Sequence, residues 1–172
     1  MSGLRLLFTP PAGKLPLMKL AEFFSNYFTV RKELVEAVKG LSREQLDWCA
    51  PGHPNSIGHL LAHVAETEFW WISIVAEKNV APSQTDFQRF ENDLTADRIF
   101  AWLEEHFAET GSFLRREELD DWDGVFYSFE IDGKEEKVSK RWLVWHVVEH
   151  QARHRGQIFM LMRMQGLDVP NV

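Results

Sequence analysis

The spacing of apolar residues divides the chain into four long stretches that predict helices, over about 17–39, 57–77, 96–117 and 140–165. Within each stretch apolar residues recur three or four positions apart, which places them on one face of a helix. The first three stripes are Leu20, Phe24, Tyr27, Phe28, Leu34, Val35 and Val38; Ile57, Leu60, Leu61, Val64, Phe69, Trp70 and Ile74; and Ile99, Phe100, Trp102, Leu103, Phe107 and Leu114.

Capping and stop signals flank these stretches. Ser56, Thr95 and Ser139 each precede a helical stretch and are predicted N-caps, because their side-chain oxygens can accept from free backbone N–H groups. Gly40 and Gly166 follow helical stretches, where glycine commonly ends a helix in the left-handed conformation. The connections are predicted as a short turn or helix over 41–46 capped by Ser42, a loop over 50–55, and a loop containing Pro82 with a polar tail to about residue 94.

Residues 125–134 interrupt the helical pattern. Aromatic and β-branched residues run into Asp132-Gly133, a dipeptide typical of a two-residue hairpin turn. We therefore predict an all-α fold with a small β-hairpin before the last long helix. Short connections favour antiparallel neighbours and hence a four-helix bundle. At 172 residues, the chain is expected to form one domain over 1–172.

Composition narrows the classes of function. Hydrophobic residues make up 45% of the chain and charged residues 26%, which is typical of a globular protein. A net charge of −7 would repel nucleic acid, so no nucleic acid partner is expected. Seven tryptophans and thirteen phenylalanines predict a large aromatic core, with an aromatic pocket or subunit contact as the alternative.

Cysteine usage and hydropathy predict a cytoplasmic location. Cys49 is the single cysteine, which excludes an intramolecular disulfide and fits a reducing compartment. The apolar run within residues 1–11 is too short for a secretory signal, and no cleavage site follows it. No stretch reaches the eighteen uninterrupted apolar residues of a membrane span, so no membrane is expected as a partner.

The histidines carry the candidate chemistry. His146, His150 and His154 are four residues apart in the last helical stretch, so they form one stripe on its surface. His59 and His63 have the same spacing in the second stretch. Two imidazoles at this spacing can bind one metal ion at about 2.0–2.1 Å.

These positions favour the interpretation that three histidines form a metal site. Catalytic zinc-type sites use three protein ligands and leave one position open. His150 and His154 supply one pair, and His63 from the second helix would complete the site across the bundle core. Each histidine alone would more often be a structural residue with hydrogen-bond partners. The inward direction of the last stripe is supported by its apolar neighbours Leu143, Val147, Ile158 and Leu161.

One short motif suggests a different enzyme. The run His146-Val147-Val148-Glu149-His150 matches H-x-x-E-H, the signature of inverzincin proteases. The pattern has only three fixed positions, inverzincins are far larger, and the sequence offers no independent sign of a peptide-binding edge. A protease is therefore not expected.

Three segments resemble the DinB/YfiT-like superfamily. They are Ser-Ile-Gly-His-Leu-Leu-Ala-His at 56–63, the run from His146 to Ile158 that contains His-x-x-x-His-Arg-Gly-Gln, and Met-Gln-Gly-Leu-Asp-Val-Pro at 164–170. The resemblance covers most of the chain. It implies a four-helix bundle in up-down-down-up order and frequent homodimers. It also implies one divalent metal, usually zinc or nickel, held here by His63, His150 and His154.

This resemblance suggests a metal-dependent thiol S-transferase. Characterised relatives in the superfamily use bacillithiol, mycothiol or glutathione, and many members have no known activity. A divalent ion with an open position would bind a low-molecular-weight thiol and favour its thiolate, the nucleophile. A small electrophile would be the second partner. Its pocket wall is predicted among Trp70, Trp71, Trp142 and Trp145, although each is more often a core or interface residue.

Two alternatives stay open at this point: a metal-dependent hydrolase of small substrates, and a non-catalytic metal-binding, stress-related protein. Glu66 is a candidate base for hydrolysis, with surface ion pairing as its commoner role. Arg153 or Arg155 could hold a carboxylate of the thiol, although a solvated face is the commoner role. Cys49 is expected to be buried and inert. His59 or His146 as a fourth ligand would close the site.

Overall fold

The structure is a computed structural model that describes residues 17–78, 95–119 and 122–170. These residues are mostly helical and include one two-stranded antiparallel sheet, as the sequence predicts. The predicted loop around Pro82 lies outside the described residues. The elements are α1 (Leu20–Phe23), α2 (Ser25–Val38), α3 (Arg43–Asp47), α4 (Ile57–Glu68), a π-helix that continues α4 (Phe69–Ala76), α5 (Ala96–Arg116), β1 (Phe126–Ile131), β2 (Lys134–Ser139) and α6 (Lys140–Met164).

Most predicted helix boundaries agree with the structure. The hydroxyls of Ser56 and Ser139 accept from backbone N–H groups at 3.1 and 3.2 Å, and Ser42 forms a reciprocal capping box with Gln45. Gly166 ends α6 with φ of 74°. Thr95 is the exception, because it stands at the N-cap of α5 but its side chain makes no capping hydrogen bond.

Two helices differ from their predicted form. The first predicted stretch is interrupted at Phe24, whose φ and ψ of −101° and 37° separate α1 from α2. The backbone N–H of Leu20 donates to the carbonyl of Glu117 at 3.0 Å, so α1 is attached to the end of α5 rather than continuing α2. The second predicted helix changes to π-helical bonding after Glu68, which hydrophobic periodicity does not reveal.

The hairpin forms where the sequence places it. Strands β1 and β2 pair from Phe126 with Ser139 to Ile131 with Lys134. Asp132 and Gly133 both have positive φ, 51° and 72°, as a two-residue turn of this kind requires. Because β2 leads directly into α6, the hairpin is joined to the start of the helix that carries the histidine stripe.

The long helices pack through their apolar faces. α4 lies against both α5 and α6, and α2 lies against α6. The neighbours of the histidine stripe are buried as predicted: Leu143, Val147, Ile158 and Leu161 are each at most 3% exposed. This packing brings one face of α4 against the histidine face of α6.

Cys49 is exposed, so the prediction of a buried cysteine is wrong. It lies in the connecting segment between α3 and α4. Its Sγ lies 3.7 Å from the carbonyl oxygen of Asp47 and 3.9 Å from that of Pro54.

Within the described part of the chain, no helix has both the length and the apolar composition that crossing a bilayer requires.

Candidate metal centre

Three histidine side chains converge between α4 and α6. The Nε2 atom of His150 lies 3.1 Å from Nε2 of His63 and 3.1 Å from Nε2 of His154. His63 comes from the second turn of α4, and the other two lie one turn apart on α6. The structure thus brings together the three residues that the sequence singled out, and their ligand atoms all lie within 4.8 Å of one another.

The geometry fits a divalent ion with nitrogen ligands. Two nitrogens bound tetrahedrally at 2.0–2.1 Å lie about 3.3–3.4 Å apart, close to the 3.1 Å found here for two pairs. A neutral imidazole presents a lone pair at the nitrogen without a proton. A single N–H can join only two of the three nitrogens by a hydrogen bond. Three converging Nε2 atoms are therefore better satisfied by one cation than by hydrogen bonds among themselves.

Burial favours the neutral form of two of the three imidazoles. Burial, and next the charges that His154 and His63 would carry, lower the pKa of His150 to about 2. Burial likewise lowers the pKa of His154, and a charge on His63 adds to the effect. Both imidazoles are therefore neutral near pH 7, as metal ligation requires.

Two side chains on α4 complete the surroundings of the triad. Glu66 Oε2 lies 3.2 Å from Nδ1 of His63, which holds the proton on Nδ1 and leaves the Nε2 lone pair free. The hydroxyl of Thr67, a buried residue, lies 3.3 Å from Nε2 of His150. Glu66 thus pairs with a histidine rather than forming the surface ion pair expected from the sequence, and the sequence analysis did not identify Thr67.

The other two histidines of the sequence pattern stay outside the cluster. His59 is exposed one turn before His63, and His146 stacks on Trp142 with ring centroids 4.7 Å apart. In the described ranges, no fourth His, Cys, Asp or Glu brings a ligand atom within 4.8 Å of all three triad atoms. Among these residues, the arrangement is a three-ligand set with an open side.

That open side faces a pocket of about 360 Å³. Its lining consists of His63, Glu66, Thr67, Trp70 and Trp71, so one triad histidine, a carboxylate, a hydroxyl and an aromatic wall meet in one place. His63 is partly exposed, whereas His150 is buried.

Aromatic rings extend the wall beyond this pocket. The Trp71 ring lies 4.9 Å from that of Trp142 and 5.5 Å from that of Phe129 on β1. Trp142 and Trp145 are 45% and 59% exposed, so neither is a core residue, and both line a second cavity. Only some of the aromatic residues therefore form the predicted core. Phe129 of the hairpin contacts the pocket wall, and the sequence analysis did not assign it to the site.

Arg153 and Arg155, which lie next to His154 on α6, both make ion pairs. Arg153 pairs with Glu149 on the exposed side of α6, and Arg155 pairs with Glu33 of α2. The predicted solvated face therefore holds for Arg153, which is 57% exposed, whereas Arg155 is 21% exposed and joins two helices.

A second group of metal-competent side chains lies on α5. Glu105, His106 and Glu109 bring one ligand atom each within 4.8 Å of one another. His106 is 1% exposed, its Nδ1 lies 3.0 Å from Glu109 Oε2, and that carboxylate also accepts from the Ser73 hydroxyl at 2.6 Å. The Glu109 carboxylate is thus already hydrogen-bonded to His106 and Ser73.

Fold and site together define a class: a mostly helical protein with a candidate three-histidine metal centre between two helices. Comparison with family models identifies the class further. The model of the DinB family matches residues 17–172, and the chain belongs to the DinB family.

A solved structure supports the same fold. The crystal structure of a DinB-like protein from Bacillus cereus superposes with a TM-score of 0.63 at 22% sequence identity. The match covers 88% of this chain and 96% of the other. A search of curated protein sequences found no match.

Proposed function

We propose that this protein binds one divalent metal ion, zinc or nickel, through His63, His150 and His154, and that it is a metal-dependent S-transferase. The observation that carries the proposal is the convergence of three Nε2 atoms beside an open aromatic pocket. A bound divalent ion would act as a Lewis acid and lower the pKa of a thiol held at its open position.

The protein's own residues have separable roles in this proposal. The three histidines hold the ion, and Glu66 keeps the proton of His63 on Nδ1. The Thr67 hydroxyl can hydrogen-bond a group that enters beside His150. Trp70 and Trp71 would hold a small electrophile against the thiolate and exclude water from it.

A metal-dependent hydrolase is the second candidate, and one observation favours it. Glu66 lines the pocket and is 30% exposed, so its carboxylate is within reach of a substrate or water there. The contact with His63 opposes this role, because a carboxylate that accepts from Nδ1–H is a weaker base.

Several expectations from the sequence accompany the proposal as predictions. They are the up-down-down-up order of a four-helix bundle, a homodimer, a cytoplasmic location, and bacillithiol- or mycothiol-like thiols as substrates. Each needs its own measurement, and neither a nucleic acid nor a membrane is proposed as a partner.

The first experiment is elemental analysis of untagged protein after loading with zinc or nickel. Near one equivalent of metal in the wild type, lost in His63→Ala and His150→Ala but kept in His59→Ala, would support the site. His59 is the matched control, because it lies one turn from His63 on the same helix and outside the cluster. No bound metal in the wild type would overturn the proposal.

Activity assays then separate the functions. Loss of a chromogenic aryl halide that requires both metal and added thiol supports the S-transferase. Turnover of an aryl ester without thiol would replace it by the hydrolase. Metal binding with neither activity, across the thiols named above, would leave a non-catalytic metal-binding protein.

A further inference from the structure

A fully buried polar cluster joins α2 to α4 and α6, the two helices that carry the histidine triad. The Arg31 guanidinium of α2 donates to Glu68 of α4, and its Nε donates to Gln151 Oε1 of α6 at 2.6 Å. Tyr27 donates its hydroxyl to the same Glu68 oxygen at 2.6 Å, and Gln151 Nε2 donates to the Tyr27 carbonyl at 2.9 Å. These contacts close a ring that joins three helices.

The cluster is an unusual way to stabilise a core. Arg31 and Glu68 are each 2% exposed, and removing two charges from water is costly even when they pair. Burial alone would lower the pKa of Arg31, but the Glu68 carboxylate raises it and keeps the guanidinium charged. Arg31 Nη1 and Glu68 Oε2 have no hydrogen-bond partner in the described part of the chain. Apolar residues of similar volume often stabilise a core as well or better.

Its position in the chain suggests what it does instead. Glu68 directly follows Thr67 on α4, and Gln151 directly follows His150 on α6. The cluster thus joins α4 and α6 next to triad or pocket residues on both helices. It does so through α2, which supplies none of the three histidines. The distance of 3.1 Å between Nε2 of His63 and of His150 depends on how α4 and α6 lie relative to each other.

We propose that Arg31, with Glu68 and Gln151, positions α4 against α6 and thereby sets the metal affinity and coordination geometry of the histidine triad. The inference rests on the proposed metal site. A shift of half an ångström between the helices is enough to degrade a ligand set of this kind, and removal of supporting contacts around metal ligands typically costs about 10- to 100-fold in affinity.

The experiment compares two variants with a control on the same helix. Arg31→Met/Glu68→Gln removes both charges together, so no buried charge is left unpaired. Gln151→Met keeps the ion pair and cuts only the link to α6. Val38→Ala is the control, because Val38 is fully buried on α2 and outside the cluster. Zinc affinity is measured by chelator competition at 25 °C, after circular dichroism has confirmed that each apo protein is folded.

The expected result is at least tenfold weaker zinc binding in both cluster variants and wild-type affinity in Val38→Ala. The visible absorption bands of the cobalt-substituted cluster variants should also shift or broaden, which lost stability alone would not cause. Wild-type affinity in both cluster variants would overturn this inference alone, as would an equal loss in Val38→Ala. Absence of metal binding by the wild type would overturn it together with the proposed function.

Discussion

In α4 and in α5 alike, a glutamate follows a histidine by three residues and lies against its Nδ1 atom, but these two histidine–glutamate pairs have different environments. In α4, Nδ1 of His63 lies 3.2 Å from Glu66; in α5, Nδ1 of His106 lies 3.0 Å from Glu109. Both contacts place a carboxylate against one ring nitrogen and direct the other nitrogen away from it. The local geometry is therefore nearly the same.

The difference lies on the far side of each ring. Nε2 of His63 meets the histidines of a second helix at an open pocket, whereas the His106 ring is 1% exposed and packs against Phe69 at 5.1 Å. A histidine and a carboxylate at helical spacing thus form a local pair in either setting. A candidate metal centre also needs ligands from another element and a path to solvent.

The largest expected effect is loss of a triad ligand. His154→Ala leaves two histidines, too few for the three-ligand set, so near-complete loss of bound zinc is expected by elemental analysis. Glu105→Ala removes a metal-competent group from the α5 cluster and should leave zinc content unchanged. Zinc retained in His154→Ala, or lost in Glu105→Ala, would reverse the assignment of the two regions.

Acid should destabilise the metal-free protein through the triad. The pKa of His150 is lowered to about 2 in the folded state, against about 6.5 when unfolded, so between these values only the unfolded chain binds this proton. Stability is then lost as pH falls below about 6.5, by up to about 1.4 kcal/mol per pH unit, or about 2 kcal/mol at pH 5.

Urea unfolding of the apo protein at pH 7 and pH 5 measures this loss. His150→Ala is the control, because it removes the histidine whose pKa is lowered to about 2 and should show a smaller difference between the two pH values. An equal difference in wild type and variant would show that His150 is not the source.

The two histidine–glutamate pairs should respond differently to removal of charge. Glu66→Gln weakens the hold on the Nδ1 proton of His63, so zinc affinity should fall about tenfold with little change in stability. Glu109→Gln weakens contacts to His106 and Ser73, so unfolding free energy should fall by about 1 kcal/mol with zinc affinity unchanged. Chelator competition measures the zinc affinity of both variants, and urea unfolding measures their stability. Similar changes in the two variants would contradict the prediction.

The helix boundaries, the hairpin turn and the candidate site residues could be predicted because they depend largely on local spacing. Ser56 and Ser139 cap the N-termini of α4 and α6, and Asp132-Gly133 forms the hairpin turn. The imidazoles of His150 and His154 meet because residues four apart share a helix face. The pairing with His63 required the apolar stripes of α4 and α6 to face each other.

The remaining features depend on contacts between distant segments, which spacing does not encode. The break at Phe24 follows from attachment of α1 to the end of α5, and the π-helix after Glu68 has the same hydrophobic pattern as an α-helix. Phe129 reaches Trp71 because the hairpin folds against the π-helix. Arg31 reads as a surface residue of an amphipathic helix, and only the packed helices show that it is buried.

The smallest expected effect concerns the pocket that His63 lines. Trp71→Ala removes an aromatic wall, and an edge or stacking contact of this kind contributes about 0.5–1.5 kcal/mol. Binding of an aryl ligand to the zinc-loaded protein, measured by equilibrium dialysis, should therefore weaken by about two- to twelvefold. Trp145→Ala is the matched control, since Trp145 is 59% exposed and lines a separate cavity. Zinc content should stay at the wild-type value in both. A loss confined to Trp145→Ala would move the binding pocket away from the triad, to the cavity that Trp145 lines.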